Sequence, residues 1–250
     1  MISVISAAAN ETYIDELLTG TKTSFKHLDV QSSKISGYSH FSYEVVTKDS
    51  KNYIVEKNEN TKADGKVFTR KTLWFEANSG FPKWYEEEDL RKDYRIKNTY
   101  SGQIMSTRLE KAGKVLQFET NLTQENVVPF EVLIFFLRKN LRHILQTKDY
   151  SFTLFLPLLA IELEEKGFPR SMSMIRMMVE LREELSLETP LGIIKGRKIL
   201  LLPKSGFLRA LLPRDKTHFE FTIAEDAPHY LLQFIAGKTK HMLTELSLAQ

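Results

Sequence analysis

The stretch Tyr94-Arg-Ile-Lys-Asn-Thr-Tyr-Ser-Gly-Gln-Ile-Met-Ser-Thr-Arg-Leu-Glu-Lys-Ala-Gly-Lys-Val-Leu-Gln-Phe-Glu-Thr-Asn-Leu122 decides the fold class. Three alternating runs, Tyr94–Tyr100, Ile104–Glu110 and Val115–Leu122, are separated by Ser101-Gly102 and Ala112-Gly113. A period of two sends successive side chains to opposite faces of a strand, and glycine-bearing pairs reverse the chain. The stretch therefore predicts an antiparallel meander with one buried face and one wet face.

The same rhythm runs back to Ser39. Phe41, Tyr43 and Val45 share one face, His40, Ser42 and Glu44 the other, and Asp49-Ser50 is a turn before a strand near Tyr53 and Val55. Asp64-Gly65 predicts a type I′ hairpin leading into Val67, Thr69, Lys71, Leu73 and Phe75. Asn78-Ser79-Gly80 closes that strand and Pro82–Glu88 begins the next. About seven or eight strands result, long enough for twist to curve the sheet.

At Val128-Pro129 the period changes. Phe130, Leu133, Ile134, Leu137, Leu141, Ile144 and Leu145 fall on one helical face, with Arg138, Lys139 and Arg142 opposite, and Pro129 suits a first helical turn. This predicts a helix over about 129–145 lying on the apolar face of the sheet. Strands are expected again at Tyr150–Glu164, Ile193–Leu202, Thr217–Ile223 and Tyr230–Ala236. Met172–Leu187 fits a helical stripe through Met172, Ile175, Val179 and Leu185. It also fits an alternation of Ile175, Met177, Val179 and Leu181 against Arg176, Met178, Glu180 and Arg182, which we prefer. Thr12–Leu18 and Lys238–Leu248 read as short terminal helices. The expected fold is mainly β: a strongly curved antiparallel sheet or half-barrel with one principal packed helix.

Composition bounds the rest. The 250 residues allow a single β domain, here expected over residues 11–250, and no linker rich in proline, glycine or serine divides the chain. Thirty-five basic residues against 32 acidic ones leave a formal charge of +3, too even to argue for a nucleic-acid partner. With no cysteine the sequence holds no disulfide, cysteine nucleophile or thiolate zinc site. Residues 1–10, with Ala7-Ala8-Ala9, read either as the remnant of a signal peptide or as an ordinary N-terminal segment. The first implies a periplasmic or secreted protein and the second a cytoplasmic one. The longest apolar run, around Phe152–Leu163, is interrupted by Pro157 and is too short for a transmembrane segment.

Three stretches carry a resemblance: Val128-Pro-Phe-Glu-Val-Leu-Ile-Phe-Phe-Leu-Arg138, then Glu188-Thr-Pro-Leu-Gly192 with Lys198-Ile199, and Pro203-Lys-Ser-Gly-Phe-Leu208 leading to Glu225-Asp-Ala-Pro228. In order and spacing the chain resembles the bacterial domain-of-unknown-function family 3108 over roughly Ser39–Ala236. The resemblance implies an envelope protein with a secretion signal and a curved sheet around a helix, broadly like the half-barrels of lipoprotein carriers. It implies no reaction and no catalytic residue. This chain departs from it in lacking a complete signal peptide and in its methionine-rich Met172–Met178.

Candidate chemistry is sparse. His218, Glu220 and His229 are the one grouping to consider for a metal or for a hydrolase-type site, and scattered hydrogen-bonding residues explain them as well. No Gly-x-Ser-x-Gly elbow, P-loop or dinucleotide motif occurs, so no catalytic residue and no cofactor is assigned. Lys195, Arg197, Lys198, Lys204, Arg209, Arg214 and Lys216, interleaved with Phe207 and Phe219, suit a solvated face or an anionic partner. Sixteen phenylalanines and the apolar helix raise a further prospect: a curved sheet with a helix in its mouth encloses a cavity. The sequence reading is thus a non-catalytic envelope protein binding a lipid or acyl chain, with Phe130, Ile134, Leu137, Leu141, Trp74 and Phe118 as its apolar lining. The rivals are an interaction module using a sheet edge or basic face, with an envelope protein or polysaccharide as partner, and the hydrolase-type enzyme.

Overall fold

The structure, a computed structural model, describes residues 20–77, 79–123, 127–212, 214–226 and 228–247. Residues 1–10 and the helix expected at Thr12–Leu18 lie outside the described residues. The first half is an uninterrupted meander: β1 (Lys22–Asp29), β2 (Ile35–Lys48), β3 (Lys51–Lys62), β4 (Val67–Glu76), β5 (Pro82–Asp89), β6 (Tyr94–Ser101), β7 (Ile104–Lys111) and β8 (Lys114–Asn121). Then come β9 (Val127–Pro129), a tight turn at Phe130–Val132 and helix α1 (Leu133–Gln146). β10 (Ser151–Phe155) leads to α2 (Pro157–Glu165), followed by β11 (Met174–Thr189) and β12 (Gly192–Pro203). The short helices α3 (Gly206–Leu211) and α4 (Arg214–Thr217) precede β13 (Phe219–Ala224), β14 (Leu231–Ala236) and β15 (Thr239–Ser247).

All fifteen strands form one sheet, ordered β8-β7-β6-β5-β4-β3-β2-β1-β15-β14-β13-β12-β11-β10-β9. Every pairing is antiparallel except the short parallel one between β9 and β10. The β1–β15 ladder joins the two meanders, with Phe25 opposite Leu243 and His27 opposite His241. The strands at the two edges, β8 and β9, are neighbours in sequence, and side chains close the seam between them. Phe155 and Ala160 pack with Tyr100, Met105 and Leu122, the Arg170 guanidinium sits 4.8 Å from the centre of the Phe118 ring, and Lys111 pairs with Glu165 at 3.7 Å. The sheet is thus open as a ladder and barrel-like as a packed surface.

Helix α1 lies across the concave side. Leu133, Leu137, Leu141 and Ile144 repeat at helical spacing and are fully buried. Phe135 reaches β4, its ring 4.7 Å from that of Phe75, while Phe136 reaches β10, 4.9 Å from the Phe152 ring. The helix therefore ties the two meanders together from inside. Each large buried residue along this stripe stabilises by roughly 1.5–3 kcal/mol relative to leaving it in water.

Three features differ from the sequence reading, and one alternative it left open is decided. The tail expected as a terminal helix is β15, because His241 and Leu243 alternate inward and complete the ladder that β1 otherwise lacks. The strand expected at Tyr150–Glu164 ends at Phe155, where Pro157 takes the first turn of α2. At Asp64-Gly65 only the glycine has positive φ, +83°, so the hairpin is not type I′. It turns through a left-handed glycine with a register shift between Asn60 and Thr61. Asp49-Ser50 and Ala112-Gly113 have positive φ at both positions, as a type I′ turn requires. Met172–Leu187 resolves as strand from Met174, pairing with β10 and β12.

Candidate functional site

The two meanders turn different chemistry inward. From β10 to β14 most of the buried residues are apolar, among them Phe152, Leu154, Ile175, Met177, Ile199, Leu201, Phe221 and Ile223, with Thr153, Thr222 and Gln233 also buried. From β1 to β7 the same inward positions carry His27, Ser39, Asn58, Thr69, Glu87, Asp89, Asn98 and Thr107, all buried. Burying a polar group costs free energy unless it is bonded, and here most of these groups find partners in one another. Lys71 stands 3.3 Å from Glu87, which also accepts from Tyr94 at 2.6 Å and from Tyr85. Glu131, in the turn before α1, accepts from Asn98 at 2.7 Å and from Tyr100, and Thr107 donates to Asn98 at 2.9 Å. His27 contacts Ser39, which bonds Asn60.

Between this polar wall and α1 lies an interior chamber. Phe25, Phe41, Glu56, Glu131, Ile134 and Leu231 line both of its compartments, of about 70 Å³ and about 180 Å³. The smaller is completed by Thr21, Thr23, Tyr43, Arg138 and Tyr230. The larger runs past Ser39, Asn60, Lys71 and His241, and Asn60, Lys71 and His241 also border an open basin of about 760 Å³. That basin sits at the end of the sheet where the β1–β2, β3–β4, β5–β6 and β14–β15 turns gather. The geometry is a wet mouth leading to a partly open, mainly apolar chamber.

Charge in the chamber follows burial. Desolvation pushes the Glu56 carboxyl up to about 7, against the lowering effect of the Tyr43 hydroxyl beside it and of Lys71 and Arg138. Desolvation likewise raises Glu131, although Tyr100 and Asn98 bond to it. Burial also acts to raise Glu87, but Lys71 and the Tyr85 and Tyr94 hydroxyls outweigh it and hold that carboxyl below its ordinary value. Burial lowers His27 to about 4, with Arg91 and His40 adding to the effect, and lowers His241 to about 3, where the His27 ring, its centre 4.3 Å away, and Lys71 also disfavour charge. Both imidazoles are neutral at physiological pH. Glu56 and Glu131 thus turn to the cavity carboxyl groups whose charge burial disfavours, and whose oxygens can accept a hydrogen bond from a donor placed there.

The expected site residues divide. Phe130 and Ile134 line the chamber. Leu137 and Leu141 are buried in the packed core on the same helix and border neither compartment. Trp74 lies on the outer face of β4, between the inward Leu73 and Phe75, opposite Trp84 of β5 and 6.3 Å from the Tyr53 ring. Phe118 packs at the seam, beside a separate groove. Of the weak metal candidates, His218 follows α4 and Glu220 faces outward to Lys198 at 3.5 Å. His229 is buried with its Nδ1 3.0 Å from the Ala224 carbonyl oxygen, and its own carbonyl accepts from Arg138 at 2.9 Å. The three do not converge. Among the described residues no group of three or more His, Asp or Glu side chains could hold a metal ion.

The basic stretch of the second half is largely paired. Lys195 and Arg197 meet Glu184, Arg197 also meets Glu225, Lys198 meets Glu183 and Glu220, and Lys216 meets Glu162. Such partnering suits a solvated outer face better than an anion-binding one.

The residues missed from sequence are Tyr43 as a polar neighbour, Glu56, Lys71 and Glu131. A signal existed for two of them. Glu56 shares the strand phase of the buried Ile54, and Lys71 that of Leu73, so each is a charge on the apolar face of its strand.

No family model matches the chain, so the likeness to family 3108 is not confirmed, and no curated protein matches. In fold the chain is similar to a β-barrel-like protein of Domain of Unknown Function DUF1849 from Brucella abortus. The TM-score is 0.51, the identity 9%, and the match covers 93% of this chain and 98% of that one. Two lower-scoring likenesses are to a protein from Bacteroides fragilis described as exported, with a YmcC-like fold, and to one from Parabacteroides distasonis described as a lipoprotein. The first has a TM-score of 0.35 and 8% identity, over 92% of this chain and 96% of that one. The second has 0.32 and 10%, over 92% and 95%. At 9% identity what is shared with the Brucella abortus protein is the fold alone. No helix among the described residues is long and apolar enough to cross a membrane.

Proposed function

We propose that this protein is a non-catalytic binding protein whose ligand is a small amphiphile, a short acyl chain bearing a hydrogen-bond-donating head. The observation that carries this reading is the double lining of the chamber. Phe25, Phe41, Ile134 and Leu231 offer apolar surface, while Glu56 and Glu131 offer acceptors on the same space. Pockets for drug-sized ligands usually span about 300–1,000 Å³. The compartments here fall below that range, so one short chain fits the reading and a whole phospholipid does not. Entry is through the polar basin, past Lys71 and His241. Ala7-Ala8-Ala9 supports assignment of the protein to the cell envelope, which N-terminal sequencing of the mature protein tests.

Native mass spectrometry of protein purified without detergent is the test of binding. The expected result is one small amphiphile per chain in the wild type and none in Ile134→Trp, where the indole fills the chamber. An empty wild-type chain that also takes up no alkyl amine or alkyl alcohol on incubation contradicts the reading.

A further inference from the structure

We infer that β8 is a homodimerisation edge, pairing antiparallel with β8 of a second copy about a two-fold axis through Gln117. The phase of the ladder comes first. Lys111 and Lys114 flank the two-residue turn at Ala112-Gly113, and the Leu122 N–H donates to the Gln103 carbonyl at 2.7 Å. The even-numbered residues of β8 therefore bond β7, and the main-chain N–H and C=O of Val115, Gln117 and Glu119 point away from the sheet. No described group bonds them.

The two edges of the sheet are built differently. β9 spans only three residues and ends in Pro129, a residue with no N–H to offer. β8 spans eight residues, has no proline, and pairs with β7 without a bulge. Its Val115 and Leu116 are 51% and 40% exposed. Proteins ordinarily blunt such edges with proline, bulges or a covering helix, because an exposed flat strand pairs with whatever strand it meets.

The sequence of the strand says which strand fits. With Gln117 on the axis, Val115 of one copy faces Glu119 of the other, Leu116 faces Phe118, and Lys114 faces Thr120. Apolar pairs form on the concave face and no like charges stand opposite one another, as cross-strand pairing favours. A groove of about 460 Å³, running along Gln117–Asn121 and bordered by Phe155, Arg170 and Met174, gives the incoming end of the second strand somewhere to lie. A self-complementary patch is what a two-fold dimer requires.

A contact of one strand pair falls at the small end of interface sizes, so the dimer is expected to dissociate at about 10–100 μM. Sedimentation velocity of the full chain across that range is the test. Gln117→Pro removes the central outward N–H, leaves the β7 ladder intact, and is expected to give a monomer throughout with an unchanged thermal melt. The chain has no cysteine, so Gln117→Cys is a clean second probe. Mild oxidation is expected to cross-link it as a dimer, while Glu59→Cys, exposed on β3, stays monomeric. A wild type that is monomeric at about ten times the upper concentration, or a dimer that survives Gln117→Pro, overturns the inference.

Discussion

The two meanders share a sheet and differ in what they bury. β9 to β15, with α1 against them, make a conventional apolar core: Phe152, Ile175, Ile199, Phe221 and Ile223 are essentially inaccessible. β1 to β8 place Glu87, Asp89, Asn98 and Thr107 at equivalent inward positions and surround them with hydroxyls and amides. A barrel interior built for stability alone would repeat the first solution, since replacing a buried polar network with well-packed hydrophobes is often neutral or stabilising. The polar meander instead lines the chamber and its mouth. On the proposed function, the apolar meander is the platform and the polar one supplies the specificity.

That contrast can be broken by mutation, beginning with the platform. Phe152→Ala, at a fully buried site touching Phe136, is expected to lose about 3–5 kcal/mol in chemical denaturation while leaving ligand uptake by the remaining folded protein unchanged. Next is Glu87→Ala, which strands the Tyr85 and Tyr94 hydroxyls and the Lys71 ammonium together. The expected loss is about 2–4 kcal/mol by the same measurement, and more than Glu87→Gln, which keeps an acceptor.

The pH dependence of stability sharpens the comparison further. The folded pKa of Glu56, about 7, is above its unfolded value, so the folded chain binds more protons than the unfolded one between about 4.5 and 7. The contribution of Glu56 to stability is therefore full below that window and declines as pH rises through it. Glu56→Gln is expected to abolish this decline and to raise the melting temperature above pH 7. His27 and His241 act oppositely. Their folded values, about 4 and about 3, are below the unfolded one, so their contribution is present above about 6.5 and declines as pH falls toward 4. The two windows overlap, so thermal melts from pH 4 to pH 8 on the wild type and Glu56→Gln separate them by difference, because the substitution removes only the component that declines as pH rises. The smallest effect is expected at the outer face: Arg95→Ala, which breaks exposed pairs with Glu86 and Glu88, is expected to change stability by less than about 1 kcal/mol.

Much of this architecture was legible in the sequence. Alternation and turn residues marked β2 to β8 because a strand with one wet face writes its period into the chain, and the stripe from Leu133 to Ile144 marked α1 because a helix on a sheet does the same. The terminal strand β15 was obscured by a tail whose apolar residues, Met242, Leu243 and Leu246, suit a helix as well as a strand; only the unpaired edge of β1, a long-range fact, decides between them. The seam was invisible for a similar reason, since Phe118, Phe155 and Met174 meet only when a fifteen-stranded sheet curls. Of the residues expected to line an apolar site, Ile134 on α1 and Phe130 in the turn before it border the chamber. Trp74 was misplaced because tryptophan is read as core by default, while its strand phase turns it outward beside Trp84. Glu56 and Lys71 were passed over because charges in an alternating strand are assigned to the wet face, and their phase says otherwise.

The central claim, that the polar wall of the first meander receives a donor-bearing amphiphile, is tested most directly by calorimetric titration of decylamine, decanol and decanoate into the wild type and Glu56→Gln at pH 8. The account predicts that decylamine and decanol bind at one site per chain, decanoate at least about tenfold more weakly, and that Glu56→Gln weakens decylamine most. Equal binding of all three heads, or decylamine binding indifferent to Glu56→Gln, would contradict it.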